Sequence, residues 1–517
     1  MEMRSYYYIS NYGCQSLVIR IQRLRTNTDF GHRTALDRIR YMRFTICHLL
    51  LLLSCTAAAA QQAAPTPQLY SPRTLEDMRS IQQAALVSDY AYKQTAYLSN
   101  NIGPRLSGSA QAQRAVEYVA DELRKLGLEV RLQKLSVPHW VRGEEKGEIV
   151  EFPGMAAGTT QKIVLTALGG SVATPASGLT ADVVVVSNYA DLDRLGREGV
   201  EGKIVLFNNK FDMEMAANGY GSNAYRQSVQ YRSSSASAAG RLGAVAVLVR
   251  SAGGSQNRLA HTGGMRYADG VTQIPAAAVS YEDAETLAYL AGMGRTRVRL
   301  LLTPQTLPNA TSYNVIADLK GSERPDEVVI VSGHLDSWDL GTGALDDACG
   351  VAVSMQVPYL LNQLKIRPKR TIRVIAYMNE ENGLVGGTVY GQEESANIAN
   401  HFAAIESDLG VSHNLGFLFT GKPEALPYFA PISAILRMQG AGIAQLQPGG
   451  VGADIGPLTA RGVPSFAPFF DTRTYFNYHH TEADTLDKVD PKYLKETGSV
   501  MAVLAYGLAN LEQPLPR

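Results

Sequence analysis

Three short, nearly continuous apolar runs, at residues 328–332, 371–378 and 402–406, constrain this chain more than any other feature of it. A strand with one wet face alternates apolar and polar side chains. A strand covered on both faces does not, and such strands belong to parallel sheets sandwiched by helices. Helical stretches follow the first two runs, near residues 350–364 and 383–394. From Tyr313 onward the alternation therefore predicts an α/β sandwich with a largely parallel sheet. Pro358 falls inside the first helix and is expected to kink it or end a segment. Upstream, residues 109–126 carry Val116, Val119, Ala120 and Leu123 at helical spacing, with Gly127 as a stop. Residues 129–135 then alternate as a half-buried strand does. Between these parts the texture changes. Over residues 137–302 short apolar runs (182–186, 203–207, 244–249) are separated by Gly-, Ser- and Ala-rich connections, which predicts a β-rich inserted module. It holds no cluster of His and carboxylates at ligand spacing, so no chemistry is assigned to it.

Acidic and His residues recur where the apolar runs stop. His334 and Asp336 follow the first, and Asp346 and Asp347 come a loop later. Glu380 and Glu381 follow the second run and Asp408 the third, while His479 and His480 precede Thr481 and Asp484 near the C-terminus. Ligands of open α/β sheets bind beyond the carboxyl ends of the strands, so these residues are placed to converge. Singly, each has an ordinary explanation: a hydrogen-bonded loop pair, a helix cap, a solvated face or a surface His pair. Jointly they do not. Clustered carboxylates repel one another unless a cation sits between them, and a pair of divalent metals is the natural candidate.

The strings "VSGHLDSWD", "GALDDACG", "MNEENG", "ESD" and "YHHTEADTLD" resemble the cocatalytic zinc exopeptidases, a family that includes bacterial leucyl aminopeptidase and glutamate carboxypeptidase-like enzymes. The likeness to the carboxypeptidase Q-like group runs from about Ile102 to the C-terminus and includes "VRGEE", "GKIV", "HTGG", "RPKRTIRV" and the final "LPR". The resemblance implies a three-layer α/β/α zinc-exopeptidase domain of the phosphorylase/hydrolase-like class, interrupted by a β-rich protease-associated insert. The expected division is a leader at 1–60, peptidase parts at 61–136 and 303–517, and the insert at 137–302. It also implies two zinc ions, one held by His334 and Asp408, the other by Glu381 and His480, with Asp346 bridging. Each metal then keeps an open position for a shared water, as catalytic zinc sites do. Ligands of this kind suit zinc, with manganese or cobalt as substitutes. Glu380 is implied as general base and Asp336 as the group that accepts the second N–H of His334 and fixes its tautomer. The Asp346–Asp347 peptide is expected to be cis. His480 is chosen over His479 because it directly precedes the Thr-Glu-Ala-Asp run. The implied activity is hydrolysis of dipeptides or short peptides. A broad aminopeptidase with the same chemistry, and a non-catalytic binding protein on the same fold, are the alternatives. A homodimer is implied by analogy. Cys349 stands where relatives commonly have Gly, and a thiol there is open to oxidation or to a stray metal.

The remaining constraints concern location and partners. At 517 residues the chain exceeds one typical core, so two or more domains are expected. Lys+Arg and Asp+Glu both number 48, so no overall field draws nucleic acid or an anionic membrane. A basic start at Met42-Arg43, an apolar run at 46–53 and the small residues Ala57 to Ala60 give the order of a secretory signal peptide. That run is too short to span a bilayer. It implies export to the periplasm or beyond, cleavage near Ala60 and a true start at Met42. Residues 52–55 also resemble a lipoprotein box, in which Cys55 carries a lipid anchor. Cys14, Cys47 and Cys55 lie in the leader, leaving Cys349 alone in the body, so no internal disulfide forms there.

Overall fold

The computed structural model describes residues 69–517. The signal-like segment, the start at Met42 and the candidate anchor Cys55 lie outside the described residues. In chain order the strands begin with β1 (Glu129–Val141), β2 (Glu145–Glu151), β3 (Gln161–Ile163), β4 (Leu165–Ala167) and β5 (Leu179–Val186). They continue with β6 (Ile204–Phe207), β7 (Ala246–Arg250), β8 (Ala276–Val279), β9 (Arg297–Leu302), β10 (Gln305–Leu319) and β11 (Arg324–His334). The last are β12 (Arg370–Tyr377), β13 (His401–Glu406), β14 (Asn414–Thr420), β15 (Ile443–Leu446) and β16 (Ser465–Phe470).

These strands form two eight-stranded sheets. The first has the order β1-β10-β12-β11-β13-β16-β14-β15. Its centre is parallel, β12, β11, β13 and β16 running together, as the apolar runs predict. Its flanks are not: β10 pairs antiparallel with both β1 and β12, and β14 pairs antiparallel with β16. The sheet is therefore mixed rather than largely parallel. β10 escaped the sequence reading because its first half is exposed, whereas its second half is buried.

The central strands are apolar throughout because both faces are covered. Val329 and Val331 of β11 join a core with the helices Pro72–Val87, Ala110–Lys125, Cys349–Gln363 and Pro491–Asn510. Val328 and Ile330 enter a core on the other face, with Tyr390 of the helix Val385–Glu393 and Leu458 of Gly456–Thr459. Each fully buried side chain of this size contributes about 1.5–3 kcal/mol relative to exposure. The helix Cys349–Gln363 runs through Pro358 without interruption. It is buried along nearly all its length, and that packing offsets the hydrogen bond Pro358 cannot donate. The helix Ala110–Lys125 forms where its periodicity places it, capped by Ser109 Oγ, which accepts from Ala112 N at 3.1 Å.

The second sheet, β3-β2-β9-β5-β6-β7-β8-β4, begins at Glu145, because β1 runs on in the first sheet to Val141. This module is α/β rather than simply β-rich. β5, β6, β7 and β8 are parallel neighbours, and the helices Tyr189–Val200, Gly221–Arg241 and Tyr281–Met293 contribute to the cores on its two faces. Its runs were short and its connections small and polar, which hid the helix Gly221–Arg241 inside a stretch rich in Ser and Ala. Among the described residues no helix is long and apolar enough to cross a membrane.

Candidate metal centre

Adjacent parallel strands deliver the site. β11 ends on His334, β12 is followed by Glu380 and Glu381, and β13 is followed by Asp408. His334 is paired with Tyr377, and Ser332 with Glu406, so the three chain ends leave the sheet at one level. Asp346 comes from the turn before the helix Cys349–Gln363, and the Asp346–Asp347 peptide is cis. Glycine is required at position 350, where a Cβ would lie 2.0 Å from the carbonyl oxygen of Ser407.

Asp346 stands between two half-sites. Its Oδ1 is 3.1 Å from His334 Nε2, which is also 3.2 Å from Asp408 Oδ1. Its Oδ2 is 3.3 Å from His480 Nε2, which is 3.0 Å from Glu381 Oε2. Two clusters of three ligand atoms thus share Asp346: His334, Asp346 and Asp408, and Asp346, Glu381 and His480. All five residues named from the sequence come together here. Glu380 lines the same open cavity of about 1360 Å³, with Asp346, Glu381, Asp408, His479 and His480.

The residues present fit a pair of divalent cations. Asp346 Oδ2 is buried and has no hydrogen-bond partner among the described residues. Among the described residues the ion-pair partners of Asp346, Glu381 and Asp408 are all imidazoles, none Lys or Arg. Burial and repulsion from Asp346 push the Glu381 carboxyl up to about 7. Burial, with Asp408 and Glu381 beside it, raises Glu380 well above the usual carboxylate range. Burial disfavours the charged forms of His334 and His480, but the carboxylates around each outweigh it and hold both well above the ordinary imidazole value. Nitrogen and oxygen donors without thiolate suit zinc.

A buried frame fixes these groups. Asp484 accepts from Leu345 N at 2.7 Å and Asp346 N at 3.1 Å, which pins the peptide carrying the bridging carboxylate. Asp347 accepts from His334 N at 3.1 Å and Gly350 N at 3.0 Å. Arg105, fully buried, donates to the carbonyls of Gly103, Leu335, Thr342 and Gly343 at 2.8–3.0 Å. Asp336 departs from expectation. The partner of His334 Nδ1 is the backbone carbonyl of Asp336, at 3.0 Å, while the nearer carboxylate oxygen is 3.9 Å away. That carboxylate instead accepts from Asn379 N at 2.7 Å and Glu380 N at 3.1 Å, and so holds the turn that presents Glu380. Cys349 also departs: its thiol is buried, donates to the Leu345 carbonyl at 3.1 Å, and is pushed well up by burial and by Asp347, so it offers neither a thiolate nor access.

The largest correction concerns the insert, which reaches the site although its own residues show no ligand-spaced cluster. Thr262 N donates to the His480 carbonyl at 2.9 Å, and the Thr262 carbonyl lies 3.1 Å from His480 Nδ1. This carbonyl orients the His480 imidazole, the kind of support a metal-holding His has through its other ring nitrogen. Arg232 Nη1 is 3.2 Å from the same Nδ1. His261 Nε2 is 3.3 Å from His479 Nδ1, and His261, His479 and His480 form a further buried cluster. No local spacing reveals such contacts, since Thr262 and His480 are 218 residues apart. The "HTGG" string was the one available hint.

The family model described as peptidase family M28 matches residues 314–505, and that described as PA domain matches residues 162–287. Carboxypeptidase Q of Bos taurus is 38% identical over 429 residues, covering 83% of this chain and 87% of the relative. Its Homo sapiens counterpart is 37% identical over the same shares. Among solved structures, a peptidase M28 precursor from Shewanella amazonensis SB2B superposes with a TM-score of 0.81 at 37% identity, covering 86% of this chain and 99% of that one. A zinc aminopeptidase from Bacillus subtilis, at 23% identity, has a TM-score of 0.60 over 82% of this chain and 98% of its own, and shares the fold.

Proposed function

The chain belongs to peptidase family M28 and carries a PA domain, and on that premise we propose that it is an exported di-zinc exopeptidase acting on dipeptides or short peptides. The observation that carries this reading is the bridging position of Asp346, with His334 and Asp408 on one oxygen and His480 and Glu381 on the other. Those five residues would hold the metals. Bound zinc supplies Lewis acidity toward the scissile carbonyl and a water made acidic enough to attack at neutral pH. Glu380 is the general base: it lines the cavity, is no member of either ligand cluster, and is held by the Asp336 carboxylate through its own N–H. It takes the proton of the attacking water and returns it to the leaving amine.

The insert supports a substrate with a free carboxylate. Arg232 is buried, its Nε has no partner among the described residues, and it lines the cavity next to His480. The exposed Arg226 and Arg266 line the same wall, and neither forms an ion pair among the described residues. Guanidinium groups are suited to carboxylate recognition. Export rests on the signal-like order of residues 42–60.

The test combines metal content by mass spectrometry with hydrolysis of dipeptides and their C-terminal amides by wild type and Glu380→Gln. Two zincs per chain, preference for the free acids, and a mutant that keeps its metal but loses about 10²–10⁴ in kcat are expected. Equal turnover of the amides points instead to an aminopeptidase. Fewer than two metals after zinc addition, with no hydrolysis, overturns the reading.

A further inference from the structure

We propose that Arg142 is a positioning residue for one metal half-site only, that of Glu381 and His480, which it aims from the crossing between the two modules; this rests on the two-metal reading above. Arg142 opens the segment 142–144, where the chain leaves β1 of the first sheet for β2 of the second. The chain returns at Thr303, whose N–H donates to the Glu144 carbonyl at 3.0 Å and whose hydroxyl accepts from Glu144 N at 2.7 Å. Glycine is required at position 143, where a Cβ would lie 2.3 Å from the Thr303 carbonyl oxygen. Arg142 is thus fixed at a doubled crossing, with its side chain 11% exposed.

Each nitrogen of its guanidinium is engaged, and the acceptors belong to both modules. Nη1 donates to Glu145 Oε1 at 3.0 Å, Thr166 Oγ1 at 2.6 Å and the Ala167 carbonyl at 2.7 Å, all in the insert. Nε and Nη2 hold Asp339 of the peptidase part at 2.6–3.0 Å. Nη2 also donates to Thr262 Oγ1 of the insert at 3.2 Å.

The last two acceptors lead to the two side chains of one half-site. Asp339 follows Trp338, whose N–H donates to Glu381 Oε1 at 3.2 Å. That bond occupies one carboxylate oxygen and leaves the other, Oε2, at 3.0 Å from His480 Nε2. The Trp338 ring stands edge-on to His480 at 5.9 Å and to Trp140 at 6.5 Å, and Arg142 lies over Trp140 at 5.0 Å. Thr262 donates its N–H to the His480 carbonyl and turns its own carbonyl to His480 Nδ1, 3.1 Å away. One guanidinium therefore stands behind both Glu381 and His480. The other half-site takes no such support. His334 is held by Asp347 and by the Asp336 carbonyl. Among the described residues no hydrogen bond of Arg142, Asp339 or Thr262 reaches His334 or Asp408. Holding both arms at once calls for a planar fork, which the point charge of a lysine does not reproduce.

Zinc competition against a chromophoric chelator tests this, in cycles that read each half-site separately. In Arg142→Gln one of the two zincs weakens about 10–100-fold, the scale for lost outer support, and the other is unchanged. Arg142→Lys, which keeps the charge without the fork, weakens the same zinc. In an Asp408→Ala background, where the Glu381–His480 half-site is whole, Arg142→Gln weakens the remaining zinc by the same factor. In a Glu381→Ala background it leaves the remaining zinc unchanged. Thr262→Val removes only the hydroxyl that accepts from Arg142, and it weakens the same zinc by a smaller factor; it serves as the test where Arg142→Gln does not fold. Denaturant unfolding of the metal-free variants reads any bracing of the fold separately. Equal weakening of both zincs, or unchanged affinities in a folded variant, overturns the proposal and makes Arg142 a brace of the crossing alone. Weakening confined to the His334–Asp408 half-site overturns it too. The cycles are read without peptide, so failure of the wild type to cleave dipeptides strikes the peptidase reading alone, whereas a wild type with fewer than two zincs overturns both.

Discussion

Asp484 lies outside both ligand clusters, yet the bridging carboxylate depends on it. It is 4% exposed and accepts from Leu345 N at 2.7 Å and from Asp346 N at 3.1 Å. Hydrogen bonds to a charged group contribute about 1.5–3 kcal/mol each, so removing both in Asp484→Ala forfeits about 3–6 kcal/mol gross. Relief of the burial penalty on the carboxylate, which with Asp346 pushes Asp484 up to about 7, returns part of that, so the loss is read above that pH. A net loss of about 2–4 kcal/mol follows. Asp484→Asn keeps one acceptor and sets an amide NH2 against the other N–H, so it loses about half as much. The metal consequence is separable from stability. Both amides belong to the peptide that aims Asp346, and loss of such outer support weakens metal affinity about 10–100-fold. Denaturant unfolding of the metal-free variants measures the first effect, and zinc competition against a chromophoric chelator measures the second. If Asp484→Asn is destabilised as expected but binds zinc like wild type, Asp484 braces the fold without aiming the ligand. If neither quantity moves, these two hydrogen bonds contribute nothing and the reasoning fails.

Two further outcomes follow from buried groups away from the cavity mouth. Asp318 pairs with Arg373 through two contacts of 2.7 and 2.9 Å; burial raises its carboxyl, but the hydrogen bonds and charge of Arg373, with Lys320, outweigh that and hold it below the usual range. A depressed folded-state value means the pair stabilises fully above the unfolded carboxyl value of about 4 and is lost as pH falls through the lower folded one. Asp318→Asn should therefore cost about 2–4 kcal/mol at pH 7 and progressively less below pH ~4, as read by denaturant unfolding across pH. Cys349 should resist thiol reagents in the native protein and react at the rate of unfolding, since its side chain is fully buried and its thiol is pushed up. Rapid native labelling would refute that.

The apolar runs made the central strands legible, because a strand covered on both faces leaves no polar alternation. Their ends made the five metal-holding candidates legible, because the carboxyl edge of a parallel sheet is where chain ends meet. The flanking antiparallel strands were less visible: the first half of β10 is wet and carries no buried period. Asp336 shows a different limit. Its type and position were right for a partner of His334, but whether the carboxylate or the carbonyl faces the ring is set by the turn at Asn379 and Glu380. Sequence spacing carries no information about that choice.

The insert presents the most consequential limit, and it bears on how the enzyme works. Each half is packed mostly on buried cores of its own, so each reads as a complete module in the sequence, although Leu106 and Trp338 of the peptidase part share one core with the insert. Yet His480 is oriented by a carbonyl of the insert, and returns the contact by accepting from the same residue's N–H. The His480 imidazole supplied by one module is thus aimed by the other, and Arg232 sits beside it on the insert side. Any shift of the insert relative to the first sheet must stretch the Thr262–His480 pair, and on the function proposed above it would couple substrate contacts at Arg232 to the geometry of the metal half-site. On that proposal substrate recognition and metal geometry belong to one interface between the two modules, and neither is assigned to a single segment of the chain.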